Sequence, residues 1–196
     1  MPTLPIGEPV PTLEFNFPAG WEVEEFDRDA RPGHPAGFYR QTIMGDGVKH
    51  IRGVDIVCRS PDAAPRVLLI EVKDDRPRVT QSRERHEELR LSIQNKVLGT
   101  LAGLVIAERV GEASLQPMAC LTRHPRVEVV LFLEEPPPAP IPNVGSKKKL
   151  RKQVRTAYKS NLDQDLSATL HKWGLPFHLY NLTNRQPVEW TVRPLP

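Results

Sequence analysis

Cysteine is scarce. The two in 196 residues, Cys58 and Cys120, have no metal-type spacing. They read as buried reduced thiols, which suits a cytoplasmic protein. Long apolar runs are missing too: the best candidate, Leu98 to Ala107, falls well short of the roughly 20 residues that cross a bilayer. Met1 to Pro11 carries prolines and Glu8 where a secretory signal has a basic start and an apolar core. There is no internal repeat, no glycine-rich phosphate loop, no zinc spacing and no Ser-His-Asp arrangement. A soluble chain that makes no use of membrane, zinc or catalytic-triad chemistry is the expectation.

What is present is ordinary in amount and uneven in placement. Hydrophobic residues make up 39% and charged residues 26%, as in a globular protein. A length near the usual size of one domain argues for a single unit with a real core. Proline, at 21 residues, gathers near both ends and in one connector. The formal charge of +3 is compatible with a nucleic-acid partner and does not establish one.

The most informative stretch runs from Gly53 to Asp75. Val54–Cys58 and Val67–Lys73 are short runs of aliphatic residues, and the loop between them holds Pro61 and Pro65. They predict two strands of a hairpin. Residues two apart share a face of a strand, so Glu71 and Lys73 lie on one side with Leu69. Asp55 points away from its neighbours Val54 and Ile56, and in the expected register it meets Glu71 and Lys73. Two carboxylates and an ammonium at one end of an apolar hairpin are costly to desolvate unless they pair or hold an ion. A hard divalent cation suits such a pair of carboxylates, because Mg²⁺ fills the rest of its octahedron with water and phosphate oxygens.

Asp55, followed after a loop by Glu71-Val72-Lys73, resembles the signature of the PD-(D/E)xK nuclease superfamily over roughly Phe38 to Glu135. One position departs from the motif: Val54 stands where it has proline. The resemblance implies a restriction-endonuclease-like core of helix, three antiparallel strands, helix and further strand. It implies Asp55 and Glu71 as ligands of Mg²⁺ or Mn²⁺, with the Val72 carbonyl as a third. Lys73 would orient or deprotonate the attacking water, or stabilise charge developing on phosphate. Many members carry a further acid before the first core strand, for which Glu24, Glu25 and Asp27 are the candidates. Several complete the site with a polar residue on the helix after the motif, which nominates Gln94.

Along the rest of the chain, Leu13, Phe15 and Phe17 alternate with polar residues, as in an edge strand or a packed arm, and Trp21–Asp27 reads as a strand. Phe38–Met44 and Val48–Cys58 are read as strands joined by a Gly45-Asp46-Gly47 turn. Lys49, His50 and Arg52 make a small basic patch ahead of Asp55. A helix capped at Thr80 or Ser82 runs to about Arg109, with Ile93, Val97, Leu101, Leu104 and Val105 as its apolar stripe. Gly99 and Gly103 on it invite close packing by another element. Gly111–Pro125 reads as loop. Arg126–Glu135 is a strand buried on both faces, expected at the centre of the sheet.

A proline-rich connector, 136–146, leads to a helix whose first half is basic: Lys147, Lys148, Lys149, Arg151, Lys152, Arg155 and Lys159, with no acid until Asp163. Leu150, Val154, Ala157, Leu162, Leu166, Leu170 and Trp173 keep helical spacing. Cations at a helix N-terminus oppose its dipole, and a phosphate backbone would compensate them. Two closing strands, Pro176–Leu182 and Val188–Arg193, follow. The expected architecture is α/β: a mixed, mainly antiparallel sheet flanked by helices, with a core over 21–135 and the helix and strands of 147–196 added. The expected activity is metal-dependent hydrolysis of phosphodiester bonds, of DNA more than RNA, in repair, restriction or defence. The alternative is a non-catalytic nuclease-like binding or assembly module. A homodimer or a partner protein is compatible with either.

Overall fold

The computed structural model describes residues 1–7, 12–31, 35–44, 51–76, 86–119, 121, 126–134, 145–183, 187 and 189–195, with the side chains of 44 and 145–157 excepted. Two sheets and four helical segments make up the described fold, which is α/β. The larger sheet has five strands in the order β3(Glu22–Glu25), β4(Ile56–Arg59), β5(Arg66–Asp74), β6(Arg126–Glu134) and β7(Phe177–Tyr180). β3, β4 and β5 are antiparallel, whereas β6 and β7 join in parallel. The smaller sheet is antiparallel, with β2(Leu13–Asn16) between β1(Thr3–Ile6) and β8(Thr191–Pro194). Among the described residues no helix is long and apolar enough to cross a membrane.

Alternation within β5 decides what lies on each side. Val67 and Leu69 face a core shared with α1(His86–Val110), α2(Gln116–Ala119) and α3(Gly145–Lys172), through Ile93, Val97, Leu104, Met118, Leu162, Leu166 and Leu170. Leu68 and Ile70 face a second core with Phe15, Phe17, Trp21, Trp190 and Val192, which belongs to the small sheet and its flanks. Among the described residues, helices therefore cover one face and a sheet covers the other. The expectation of a sheet flanked by helices is corrected on that point. The cause is the aromatic content of the outer segments: Phe15 and Phe17 stack on Trp190 at 5.8 and 5.5 Å, which ties β2 to the segment leading into β8. β2 is thus a central strand of its own sheet rather than an edge or an arm.

Four further readings change. Phe38–Met44 is not a strand: Tyr39–Met44 is a π-helical turn. Its apolar residues are separated by the run Arg40, Gln41 and Thr42, so Tyr39 and Ile43 fall on one helical face and reach the core together. Of the described part of Val48–Cys58, Ile56–Cys58 lie in β4 and Ile51–Asp55 are not strand; the Gly45–Gly47 turn, Val48, Lys49 and His50 lie outside the described residues. Gln116–Ala119 forms a short helix inside the expected loop. β6 is buried on both faces as read, with Val129 and Leu131 on one side and Val130 and Phe132 on the other, but the middle strand is β5. Cys58 is a buried free thiol, and burial raises its pKa far above the ordinary range. Cys120 and the helix-cap candidates Thr80 and Ser82 lie outside the described residues.

α1 packs where its glycines are. A Cβ on Gly99 would come within 2.5 Å of the Arg52 carbonyl oxygen and 2.7 Å of Ile51 Cγ2; one on Gly103 would meet the Phe26 ring at 3.0 Å. Removing these side chains lets the helix press on the extended segment that delivers Asp55. Gly99→Ala sets a gain in helix propensity of about 1 kcal/mol against overpacking of about 1–3 kcal/mol. The obstacle is backbone, which cannot swing aside, so the second effect wins. Urea denaturation of Gly99→Ala is expected to show a net loss of about 1–2 kcal/mol; equal or greater stability would mean that this contact is looser than described.

Candidate functional site

Asp55 stands immediately before β4, at the end of the antiparallel ladder in which Ile56 pairs with Ile70. Continuing that register by one residue sets Asp55 beside Glu71. The side chain confirms the placement: Asp55 Oδ2 accepts a hydrogen bond from the Val72 N–H at 2.6 Å. The backbone is held from two other directions. The Phe26 N–H donates to the Asp55 carbonyl at 2.9 Å. The Val54 N–H donates to Thr100 Oγ1, also at 2.9 Å, and that hydroxyl in turn donates to the Lys96 carbonyl. Helix α1 therefore fixes the residue next to Asp55 by a side chain one turn beyond Lys96.

Glu71 has no solvent exposure. Being two residues from Leu69, it sits on the helix-covered face, and α1 meets it there with a charge. Lys96 Nζ lies 2.8 Å from each Glu71 carboxylate oxygen and 3.9 Å from Asp55 Oδ1. Lys73 Nζ is 3.6 Å from Glu71 Oε1. Asp55 and Lys73 keep 26% and 27% of their side-chain surface, so the cluster opens to solvent on their side while Glu71 and Lys96 close it from below. The expected meeting of Asp55, Glu71 and Lys73 is therefore present, and a second lysine stands between the acids.

The electrostatics follow from burial. Complete desolvation, reinforced by the Asp55 charge, pushes the Glu71 carboxyl up to about 8 against the pull of Lys96 and Lys73. Burial works against the Lys96 ammonium, yet Glu71, Asp55 and Asp27 outweigh it and hold that pKa above the ordinary lysine value. The cluster thus holds the Glu71 proton more tightly than a free carboxyl would, while the Lys96 ammonium favours the carboxylate.

The three upstream acids separate by their surroundings. Burial raises the pKa of all three. Asp27 pairs with Arg40 and is the one that feels the charges of both Asp55 and Lys96. Glu25 is bound to Arg31 at 2.7 Å and feels Asp55, while Glu24 is paired with Arg28 and lies in the field of Glu112. Of the three, Asp27 is thus the one coupled electrostatically to both Asp55 and Lys96.

Comparison with protein-family models, curated proteins and solved structures finds no match to this chain. The site must be read from its own chemistry.

Gln94 is buried, and its Nε2 has no hydrogen-bond partner among the described residues. The helix residue on Glu71 is Lys96, which the sequence reading missed. Its signal was a polar pair, Lys96 and Thr100, interleaved four apart with Ile93, Val97 and Leu104. Of the expected stripe, Ile93, Val97 and Leu104 are buried and Leu101 packs against the core, whereas Val105 is 46% exposed. The helix carrying Lys147, Lys148, Lys149, Arg151, Lys152 and Arg155 exists as α3, but those side chains lie outside the described residues. Its second half docks through Leu162, Leu166 and Leu170, while Trp173, at 39% exposure, lies outside the buried stripe.

The donor set can be tested against Mg²⁺. Among the described residues no three His, Cys, Asp or Glu side chains form a metal cage. Mg²⁺ does not need one, since it is held through one or two carboxylates and keeps its waters. The Lys96 ammonium acts as a stand-in: a cation already sits against Glu71 and near Asp55, which shows that the two acids converge on a position suited to positive charge.

Proposed function

We propose that the protein is a metal-dependent nuclease with a restriction-endonuclease-like site, hydrolysing phosphodiester bonds of DNA more readily than of RNA. The reading is carried by one observation: Asp55 and Glu71 converge from adjacent strands around a cation, with Lys73 at the solvent-facing rim. Asp55 and Glu71 would hold Mg²⁺ or Mn²⁺, the Val72 carbonyl being the third candidate. Such an ion, when bound, lowers the pKa of a coordinated water and neutralises charge on the scissile phosphate. Lys73 then donates hydrogen bonds to the attacking water or to the developing phosphate charge. Asp27, fixed by Arg40, adds negative potential behind Asp55. The basic first half of α3, from Lys147 to Arg155, supplies charge for the nucleic-acid backbone.

A second reading, a non-catalytic binding or assembly module, draws on the same lysine: Lys96 engages both Glu71 oxygens, so the cluster is already neutralised from within. Incubation with supercoiled plasmid and with single-stranded DNA separates the two. Cleavage with Mg²⁺ or Mn²⁺ that stops on chelation is the expected result. Intact DNA under all metal conditions, with retention of the same DNA on a gel, would favour the binding module.

A further inference from the structure

We propose that Lys96 is a built-in counter-cation that occupies the cation position of the Asp55–Glu71 cluster and must be displaced for a divalent metal ion to enter. The inference rests on the nuclease reading, because it concerns how that site admits metal. It starts from the position of one atom. Lys96 Nζ is equidistant, at 2.8 Å, from both Glu71 oxygens, and it reaches toward Asp55 at 3.9 Å. An ammonium touching both Glu71 oxygens puts a like charge on the side of the carboxylate that faces Asp55, so a metal ion bridging the two acids competes with it for that position.

The arrangement is built rather than incidental. Lys96 keeps only 10% of its side-chain surface, and Glu71 keeps none. A surface lysine would have water as an alternative partner; this one has acids. Its own backbone carbonyl is tied through Thr100 to the residue before Asp55, so helix and strand hold a fixed relation around it. A lysine side chain is also suited to leaving, since its charge is a point at the end of a flexible four-carbon stem. Asp27 stands within its field and offers a second place for the ammonium when Glu71 is taken.

The consequence is a site whose acids already face a lysine, and which takes up metal only where metal concentration outcompetes that ammonium. Like charges in one small site disfavour each other, so removing the ammonium is expected to tighten metal binding by about tenfold or more.

The test uses the full chain, with Mn²⁺ titrated calorimetrically into wild type, Lys96→Met and Lys96→Gln at one common pH, each checked for native circular dichroism. Both neutral variants are expected to bind Mn²⁺ about tenfold more tightly, and to show a larger rise in melting temperature on adding it. A measurement on the unmodified chain stands beside these: reductive methylation of Lys96, read by mass spectrometry, is expected to be slow in chelator and faster with Mg²⁺. Equal or weaker metal binding in a folded neutral variant would overturn the role of Lys96 and leave the metal site standing. Metal-insensitive methylation of Lys96 in a chain that binds Mg²⁺ would do the same. Absence of metal binding in wild type and variants alike would sink both this inference and the nuclease reading.

Discussion

Asp55→Asn is expected, on the proposed nuclease activity, to reduce metal-dependent cleavage by about a thousandfold or more while leaving the fold intact. The size follows from what is lost. Holding a metal ion against the scissile phosphate contributes several kcal/mol of transition-state stabilisation, and each ~1.4 kcal/mol is a factor of ten in rate. Asparagine is the informative replacement because of the 2.6 Å hydrogen bond from the Val72 N–H to Asp55 Oδ2. The amide oxygen accepts that bond as the carboxylate did, so the melting temperature should stay near that of wild type. Asp55→Ala loses the acceptor as well and should cost a further ~1 kcal/mol or more of stability. Lys73→Met should lower cleavage by a smaller factor, about 10²–10⁴, the range for a positioned proton-transfer or hydrogen-bonding group. Plasmid nicking measured beside thermal unfolding checks all three. Full activity in Asp55→Asn would remove Asp55 from the chemistry.

Breaking the buried pair carries the largest expected effect on stability. Lys96→Ala leaves Glu71 fully buried without its principal partner, and removal of one member of such a pair typically costs about 3–5 kcal/mol. The double variant Lys96→Met/Glu71→Gln has no charge left to strand, and should recover most of that loss. The cost depends on pH, with a definite sign. The folded-state pKa of Glu71, about 8, lies above its ordinary value near 4.5. The folded chain therefore holds this proton more tightly than the unfolded chain, and the associated stability is present below about pH 4.5 and lost as pH rises through about 8. In chelator, wild type should lose stability relative to Glu71→Gln across that window. The penalty of Lys96→Ala should be larger at pH 9 than at pH 6, where protonation spares the variant a buried negative charge. Guanidinium denaturation at both pH values, compared in a double-mutant cycle, gives the answer. A pH-independent penalty would mean that Glu71 does not titrate in this range.

The parts of the site that were legible in sequence are those governed by short-range periodicity. Alternation along Val67 to Lys73 fixes Glu71 and Lys73 to the Leu69 side, and a hairpin places Asp55 opposite. No distant residue is needed for either step. Lys96 was not legible for the reverse reason. A helix reveals its buried face by where its apolar residues fall, and α1 exposes Leu91, Leu98, Val105, Ile106 and Val110. These blur the edges of the stripe, so although Ile93, Val97 and Leu104 mark its centre, nothing shows that a lysine beside them points inward. Tyr39–Met44 failed differently: flanking turn residues suggested a strand, while the spacing of Tyr39 and Ile43 belonged to a helical turn. The second sheet was hidden because β2 finds β8 nearly the whole chain away, and no local pattern records such a partner.

That last pairing bears on how the molecule is made. Leu13 pairs with Pro194 across the small sheet, and β7 enters the main sheet only after α3 has been completed. A chain emerging from the ribosome can form the β4–β5 hairpin and dock α1 early, since those contacts close short loops. The face of the main sheet formed by Ile56, Cys58, Leu68 and Ile70 waits for Trp190 and Val192. Until β8 is translated, this apolar face is covered from outside the main sheet by β1, β2 and the Phe17–Trp21 segment alone, the state in which the growing polypeptide is most exposed to wrong contacts.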